Sequence, residues 1–247
     1  LNLPWELELG EPWHAPYSKL VAPARLPDGT EVVLKVAYDD DTESLNEPEA
    51  LAFWDGEGSV QLVAHHPPSR AMLIERCVPG TKLGTEYDDA SIEIAAEAMR
   101  RLWRVPPDGV PWPTVAANAE RWTRELPGRY SGRVLEEALD AIRILTQAQE
   151  DIVLCHQDLH GGNILRAERE PWLVIDSKPI LAEPAYDAVA LVRDAQPTPV
   201  ELRRRLDRLS ELLGLDRERM RLWGIVKCLA WDRPEEAELF SQVGSPR

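Results

Sequence analysis

The sequence predicts an α+β protein in two parts, a small β-rich N-terminal lobe over residues 1–80 and a larger, mainly helical lobe over residues 81–247. Three observations carry this. Short alternating apolar and polar runs, broken by turn residues, fill the first third of the chain. From Asp88 onward apolar residues recur at helical spacing instead. Between the two patterns stands Pro79-Gly80, a breaker pair and the candidate hinge.

Taken in order, Glu6 to Leu9 and Lys19 to Arg25 read as strands, and Asp28-Gly29 turns the chain into Glu31-Val32-Val33-Leu34-Lys35-Val36. That hairpin puts Lys35 on its second strand. Asp39-Asp40-Asp41 reads as a solvated face, and Pro48 suits the first turn of a helix over Glu47 to Trp54. Val60 to Ala64 and Ala71 to Arg76 complete the strands. Ile92, Ala95, Met99 and Leu102 then mark a helix capped by Asp88, Asp89 or Ser91. Further helices are expected over Ala116 to Leu126, Val134 to Gln149, Val200 to Leu213 and Asp216 to Trp231, around a strand-rich island from Ile152 to Asp176.

Composition bounds the function. The 247 residues suffice for one large domain or two lobes, and no apolar run approaches the ~18–20 residues that span a bilayer. A net charge of -15 argues against nucleic acid or an anionic membrane as partner. It favours a cationic small molecule, or it serves solubility alone. The cysteines Cys77, Cys155 and Cys228 are widely spaced and form no CxxC pair, so reduced thiols in a cytoplasm are expected. Leu1 to Trp5 has neither the basic stretch nor the apolar core of a secretory signal. No heptad seam is present, and a monomer is expected.

The informative segment is Cys155-His156-Gln157-Asp158-Leu159-His160-Gly161-Gly162-Asn163, followed by Trp172-Leu173-Val174-Ile175-Asp176. Its form, H-x-D-x-x-x-x-N and then an apolar strand ending in Asp, is that of the catalytic and metal loops of protein kinases, so a protein-kinase-like fold is expected. Phosphoryl transfer needs an acceptor oxygen in line with the γ-phosphate and a divalent cation to neutralise the transferring group. Asp158 would orient the hydroxyl and accept its proton. Mg²⁺ is a hard ion, and the oxygens of Asn163 and Asp176 suit it. Gly161 and Gly162 let the loop turn tightly between base and ligand. Lys35 fits the other half of an ATP site, a strand lysine on the α/β-phosphates held by a helix glutamate; Glu47 is the expected partner and Glu49 the second choice.

Other readings of these residues are weaker. His156, Asp158 and His160 alternate along one segment and suggest a Zn or Fe centre of a hydrolase or oxygenase, but no histidine follows His160 and only His65 or His66 remains to complete it. A nucleotide-binding pseudokinase is disfavoured because every residue the transfer needs is present. His156 and His160 are expected to bond backbone, with an approach of His160 to substrate as the alternative. Asp187 is expected to cap a helix or brace the catalytic loop, and Trp103, Trp122, Trp223 and Trp231 to be core.

With these residues in hand the chain resembles the aminoglycoside phosphotransferase family, in the branch of streptomycin 6-kinases and hydroxyurea phosphotransferases. The likeness runs through Asp28-Gly29-Thr30, Val33-Leu34-Lys35-Val36, Glu49-Ala50-Leu51, Leu73-Ile74-Glu75-Arg76, the Cys155 to Arg166 loop, Pro171 to Asp176 and Leu213 to Arg219. It implies a two-lobed fold with ATP in the cleft and adenine against a hinge near Glu75 to Val78. Lys35, Glu47, Ser18, Glu75 and Cys77 are then nucleotide-binding, Asp158 the base, and Asn163 and Asp176 the Mg²⁺ ligands. The implied reaction is O-phosphorylation of a small molecule, foremost an aminoglycoside of the streptomycin type, with hydroxyurea or another small metabolite as the alternative. Three features depart from the pattern. The stretch His14 to Lys19 lacks the glycine usual in the phosphate-covering loop, Ser177 stands where the branch commonly has Pro, and the segment before the first strand is short. The acidic Glu235-Glu236-Ala237-Glu238 is either a set of carboxylates for a polycationic acceptor or an exposed helix start.

Overall fold

The computed structural model describes residues 3–13, 19–38, 42, 44–110, 112–147 and 151–244. The chain divides into two compact units, Leu1–Leu83 with Asn163–Pro179, and Gly84–Gly162 with Ile180–Arg247. Ser18 and the run Asp39-Asp40-Asp41 lie outside the described residues.

The first unit is built on a five-stranded antiparallel sheet. Its strands are β1 (Glu8–Leu9), β2 (Lys19–Arg25), β3 (Glu31–Ala37), β4 (Leu62–His66) and β5 (Ala71–Glu75), in the spatial order β1-β2-β3-β5-β4. The β2–β3 turn forms as the sequence leads one to expect: Gly29 sits at φ +90°, and the Asp28 carboxylate accepts the Thr30 N–H at 2.9 Å. β3 is central and buried on both faces. Val32, Leu34 and Val36 pack one face against Ala24, Ala71 and Leu73, with Trp5, Leu7 and Leu26 closing over them. Each fully buried aliphatic side chain contributes on the order of 1.5–3 kcal/mol. Alternation then sends Lys35 to the opposite face.

That face carries α1 (Glu47–Trp54), which begins with Pro48 in its first turn and stops at Asp55, whose φ of +48° is left-handed. β4 starts two residues later than the spacing suggests, and its pairing with β5 shifts between Leu62 and Ala64. The segment 163–179 returns to this unit as a hairpin of β6-independent strands β7 (Ile164–Arg166) and β8 (Trp172–Val174), where β6 denotes Val153–Cys155 of the other unit. Backbone bonds explain the return: Val60 N–H donates to Val174 carbonyl at 3.1 Å, and Arg166 N–H to Thr81 carbonyl at 2.8 Å.

The second unit is mainly helical. It contains α2 (Asp89–Leu102), α3 (Val115–Glu125), α4 (Arg133–Gln147), α5 (Pro184–Asp187), α6 (Val189–Arg193), α7 (Pro199–Leu213), α8 (Arg217–Ala230) and α9 (Pro234–Gln242), with β6 pairing antiparallel to β9 (Ile180–Ala182). Side-chain caps start several of the helices. Asp88 accepts the Ser91 N–H at 2.8 Å, and Thr198 with Glu201 forms a reciprocal capping box on α7. Gly214, at φ +69°, ends α7. Among the described residues no helix is long and apolar enough to cross a membrane.

Of the four tryptophans expected in the core, Trp122 and Trp223 are buried there. Trp103 and Trp231 are only half-buried. The Trp103 indole N–H instead donates to Asp187 at 3.0 Å, and the Trp231 ring lies beneath two cations.

Candidate active site

In the first unit three charged side chains meet. Lys35 Nζ lies 2.6 Å from both carboxylate oxygens of Glu47 and 3.0 Å from Asp176 Oδ1. Lys35 and Glu47 are both buried. Burial works against the ammonium, yet the Glu47 and Asp176 carboxylates more than offset it and hold the Lys35 pKa above its ordinary value. Of the two candidate partners, Glu47 is therefore the one that engages Lys35, and Glu49, two residues on, is exposed. The link from Lys35 to Asp176 spans 141 residues and is invisible to local spacing.

Asn163 and Asp176 flank the β7–β8 hairpin at the same end, for the Ile175 N–H donates to the Asn163 carbonyl at 3.0 Å. Asp176 has φ +63°, a left-handed conformation that costs a non-glycine residue about 1 kcal/mol and turns the chain out of β8. Asn163 is buried, whereas the Asp176 side chain keeps 28% exposure. Two hard oxygen donors at the end of a hairpin, one open to solvent, suit a Mg²⁺ ion that completes its shell with water and phosphate oxygens.

Glu75 and Cys77, expected to contact the nucleotide, behave differently from the residues around Lys35. Glu75 gives both carboxylate oxygens to Arg169, at 2.9 and 2.8 Å, and also accepts the Gln61 N–H at 3.0 Å. Its side chain is thus committed within the protein. Cys77 is half-buried, and burial with the nearby Glu75 charge pushes its thiol up to about 11, so it is neutral near pH 7.

In the second unit β6 delivers the loop that carries Asp158. Asp187, from α5, accepts the His156 N–H at 3.1 Å and the Gln157 N–H at 2.7 Å, and so braces the loop backbone. Gln157 itself is left-handed, at φ +70°. Both histidines bond backbone two residues on: His156 Nδ1 accepts the Asp158 N–H at 3.3 Å, and His160 Nδ1 accepts the Gly162 N–H at 3.1 Å. Among the described residues no three His, Cys, Asp or Glu groups converge to hold a metal ion, so the alternation of His156, Asp158 and His160 does not make a ligand set.

Gly161 is required by close approach. A Cβ there would lie 1.9 Å from the Gly84 carbonyl oxygen, and its N–H donates to the Tyr87 hydroxyl at 2.8 Å. Tyr87 in turn donates to Asp194.

Asp158 is not alone. Arg193, at the end of α6, lies 3.3 Å from Asp158 Oδ1 and 3.8 Å from Glu236 Oε2, with its guanidinium 4.9 Å above the Trp231 ring. Glu236 also pairs with Arg233 at 3.1 Å, and Glu238 with Arg133 at 2.9 Å. The acidic cluster is thus the start of α9, with two of its carboxylates already matched by arginines. Sequence reasoning missed Arg193, Tyr87 and Asp194, which belong to no motif. It also missed Lys227, although a lysine inside the apolar run Gly224-Ile225-Val226-Lys227-Cys228-Leu229 was a visible signal.

Comparison with known proteins shows the family and the fold. The family described as aminoglycoside/hydroxyurea antibiotic resistance kinase matches residues 5–232. The chain is 37% identical to a hydroxyurea phosphotransferase of Kitasatospora aureofaciens, over 89% of this chain and 66% of that protein. It is 35% identical to a streptomycin 6-kinase of Streptomyces glaucescens, over 92% of this chain and 79% of that protein. In fold it is similar to an aminoglycoside phosphotransferase solved with ADP and hygromycin B, with a TM-score of 0.66 at 13% identity over 97% of this chain and 95% of that one. This places the α+β architecture among kinase-like folds.

Proposed function

The chain belongs to the aminoglycoside/hydroxyurea antibiotic resistance kinase family, and from that premise we propose that it transfers the γ-phosphoryl group of ATP to a hydroxyl of a small molecule of the streptomycin type. The observation that carries the reading is Lys35 clasped between buried Glu47 and Asp176. A lysine so held presents a fixed charge to the α/β-phosphates. Asp158 orients the acceptor hydroxyl and takes its proton as the new O–P bond forms and the bond to the β-phosphate oxygen breaks, releasing ADP. Asn163 and Asp176 are the residues that would hold Mg²⁺, which supplies charge neutralisation on the phosphates. Much of the rate then comes from positioning.

Hydroxyurea is the second reading, favoured by one observation. Arg193 beside Asp158 and Glu236 leaves the surroundings of the base close to charge-balanced, which suits an uncharged acceptor. A cytoplasmic location fits the reading, since Cys77, Cys155 and Cys228 are free thiols. The test is ADP release from ATP with streptomycin and with hydroxyurea, with Asp158→Ala as the control. Wild type is expected to turn over one of the two and the variant to lose at least about 100-fold in kcat; equal turnover by the variant would remove Asp158 from the role of base.

A further inference from the structure

We propose that Lys227, on α8, is a positioning residue for Asp158, holding the backbone that precedes it so that the carboxylate meets the acceptor hydroxyl in one geometry. The proposal rests on the reading of Asp158 as the base.

Lys227 is fully buried, and its ammonium donates to the Gln157 carbonyl. The Gln157 N–H is held by Asp187. Both backbone polar groups of residue 157 are therefore pinned, one by an anion and the other by a cation. Those two bonds restrain φ and ψ of the residue directly before Asp158, at a left-handed φ of +70° that a glutamine does not favour. Without such bonds the loop would be expected to relax.

The alternative is that Lys227 only balances the charge of Asp187. Asp187, however, already accepts three N–H donors, from His156, Gln157 and Trp103, and does not need the ammonium for its hydrogen bonds. A buried ammonium is also costly, and a methionine of similar shape would fill the same space without that cost. The protein lowers the cost by laying Nζ 4.5 Å from the Tyr186 ring centroid and 4.9 Å from that of Trp231. Trp231 carries Arg193 as well, so one indole supports both cations beside Asp158.

Burial pushes the Lys227 pKa down to about 8, with Asp187, Asp158 and Cys155 opposing the shift and Arg193 adding to it. On its own helix Cys228 adjoins it, and Glu236 of α9 faces Cys228 and Arg193. The charge on the clamp is therefore lost as pH rises through about 8.

The experiment is steady-state phosphoryl transfer from ATP to streptomycin and to hydroxyurea between about pH 6.5 and 9.5, for wild type and Lys227→Met. The variant is expected to lose about 10–100-fold in kcat while its KM for ATP changes by less than about twofold. The wild-type kcat is expected to decline through about pH 8 with either acceptor, and the variant to lack that limb. An unchanged kcat in the variant would overturn the proposal, and so would a fall in kcat matched by an equal rise in the KM for ATP. Should Lys227→Met fail to fold, Lys227→Gln decides, its shorter side chain being expected to lower kcat with little change in the KM for ATP, and a kcat equal to wild type counting against the proposal. Should wild type turn over neither acceptor, it is the proposed acceptor that fails; hydrogen exchange at the Gln157 amide then still tests the clamp, with faster exchange expected in Lys227→Met and equal exchange counting against it.

Discussion

Lys35 shows how one side chain ties sequence order to chemistry. Its strand position follows from alternation, since Leu34 and Val36 face the sheet core and Lys35 must face away. There Glu47 meets it at 2.6 Å in a pair that neither partner leaves for solvent. Removing one member of a buried pair strands the other, at an order-of-magnitude cost of 3–5 kcal/mol. Glu47→Gln is therefore expected to lower the urea midpoint and to raise KM for ATP, because Asp176, partly solvated, becomes the remaining carboxylate on the ammonium. Isothermal denaturation together with ATP titration checks both effects, and a variant as stable as wild type with the same KM would contradict the account. Asp187 is the opposite case: spacing alone left it between a helix cap and a loop brace, and its bonds to the His156 and Gln157 amides assign it to the loop.

At the scale of elements, what could be read in advance was what local chemistry decides. The Asp28-Gly29 turn, the Pro48 helix start and the cap at Asp88 are all local, and all appear. β9 and α6 were missed because three and five residues are too few to show a period. Other elements stand where they do through contacts remote in sequence. Gly224 on α8 is an example, for a Cβ there would lie 2.3 Å from the Phe240 ring of α9. Gly224→Ala should gain helix propensity yet lose more by forcing α9 away, a net destabilisation of about 1–3 kcal/mol. A thermal melt gives the sign directly: a higher Tm in the variant would show that α9 packs against α8 less closely than described.

For the whole molecule, chain order and spatial order diverge. The H-x-D-x-x-x-x-N motif is continuous in sequence, but Asp158 belongs to one compact unit, while Asn163, Asp176, Lys35 and Glu47 belong to the other. The residue types of the candidate site were legible because phosphoryl transfer demands them in that order. Arg193 and Lys227 were not, since they come from helices whose residues no motif constrains. The net charge of -15 does not report how a single site is balanced: Arg193 lies 3.3 Å from Asp158 despite the overall acidity. The most direct measurement of the central claim is phosphorus NMR of the product formed from ATP with streptomycin or hydroxyurea by wild type, Asp158→Asn and Asp176→Asn. The account predicts a new phosphate-ester resonance that grows with wild type and is all but absent with either variant; a wild-type sample that yields only ADP and inorganic phosphate, or an Asp176→Asn sample that forms the ester at the wild-type rate, would contradict it.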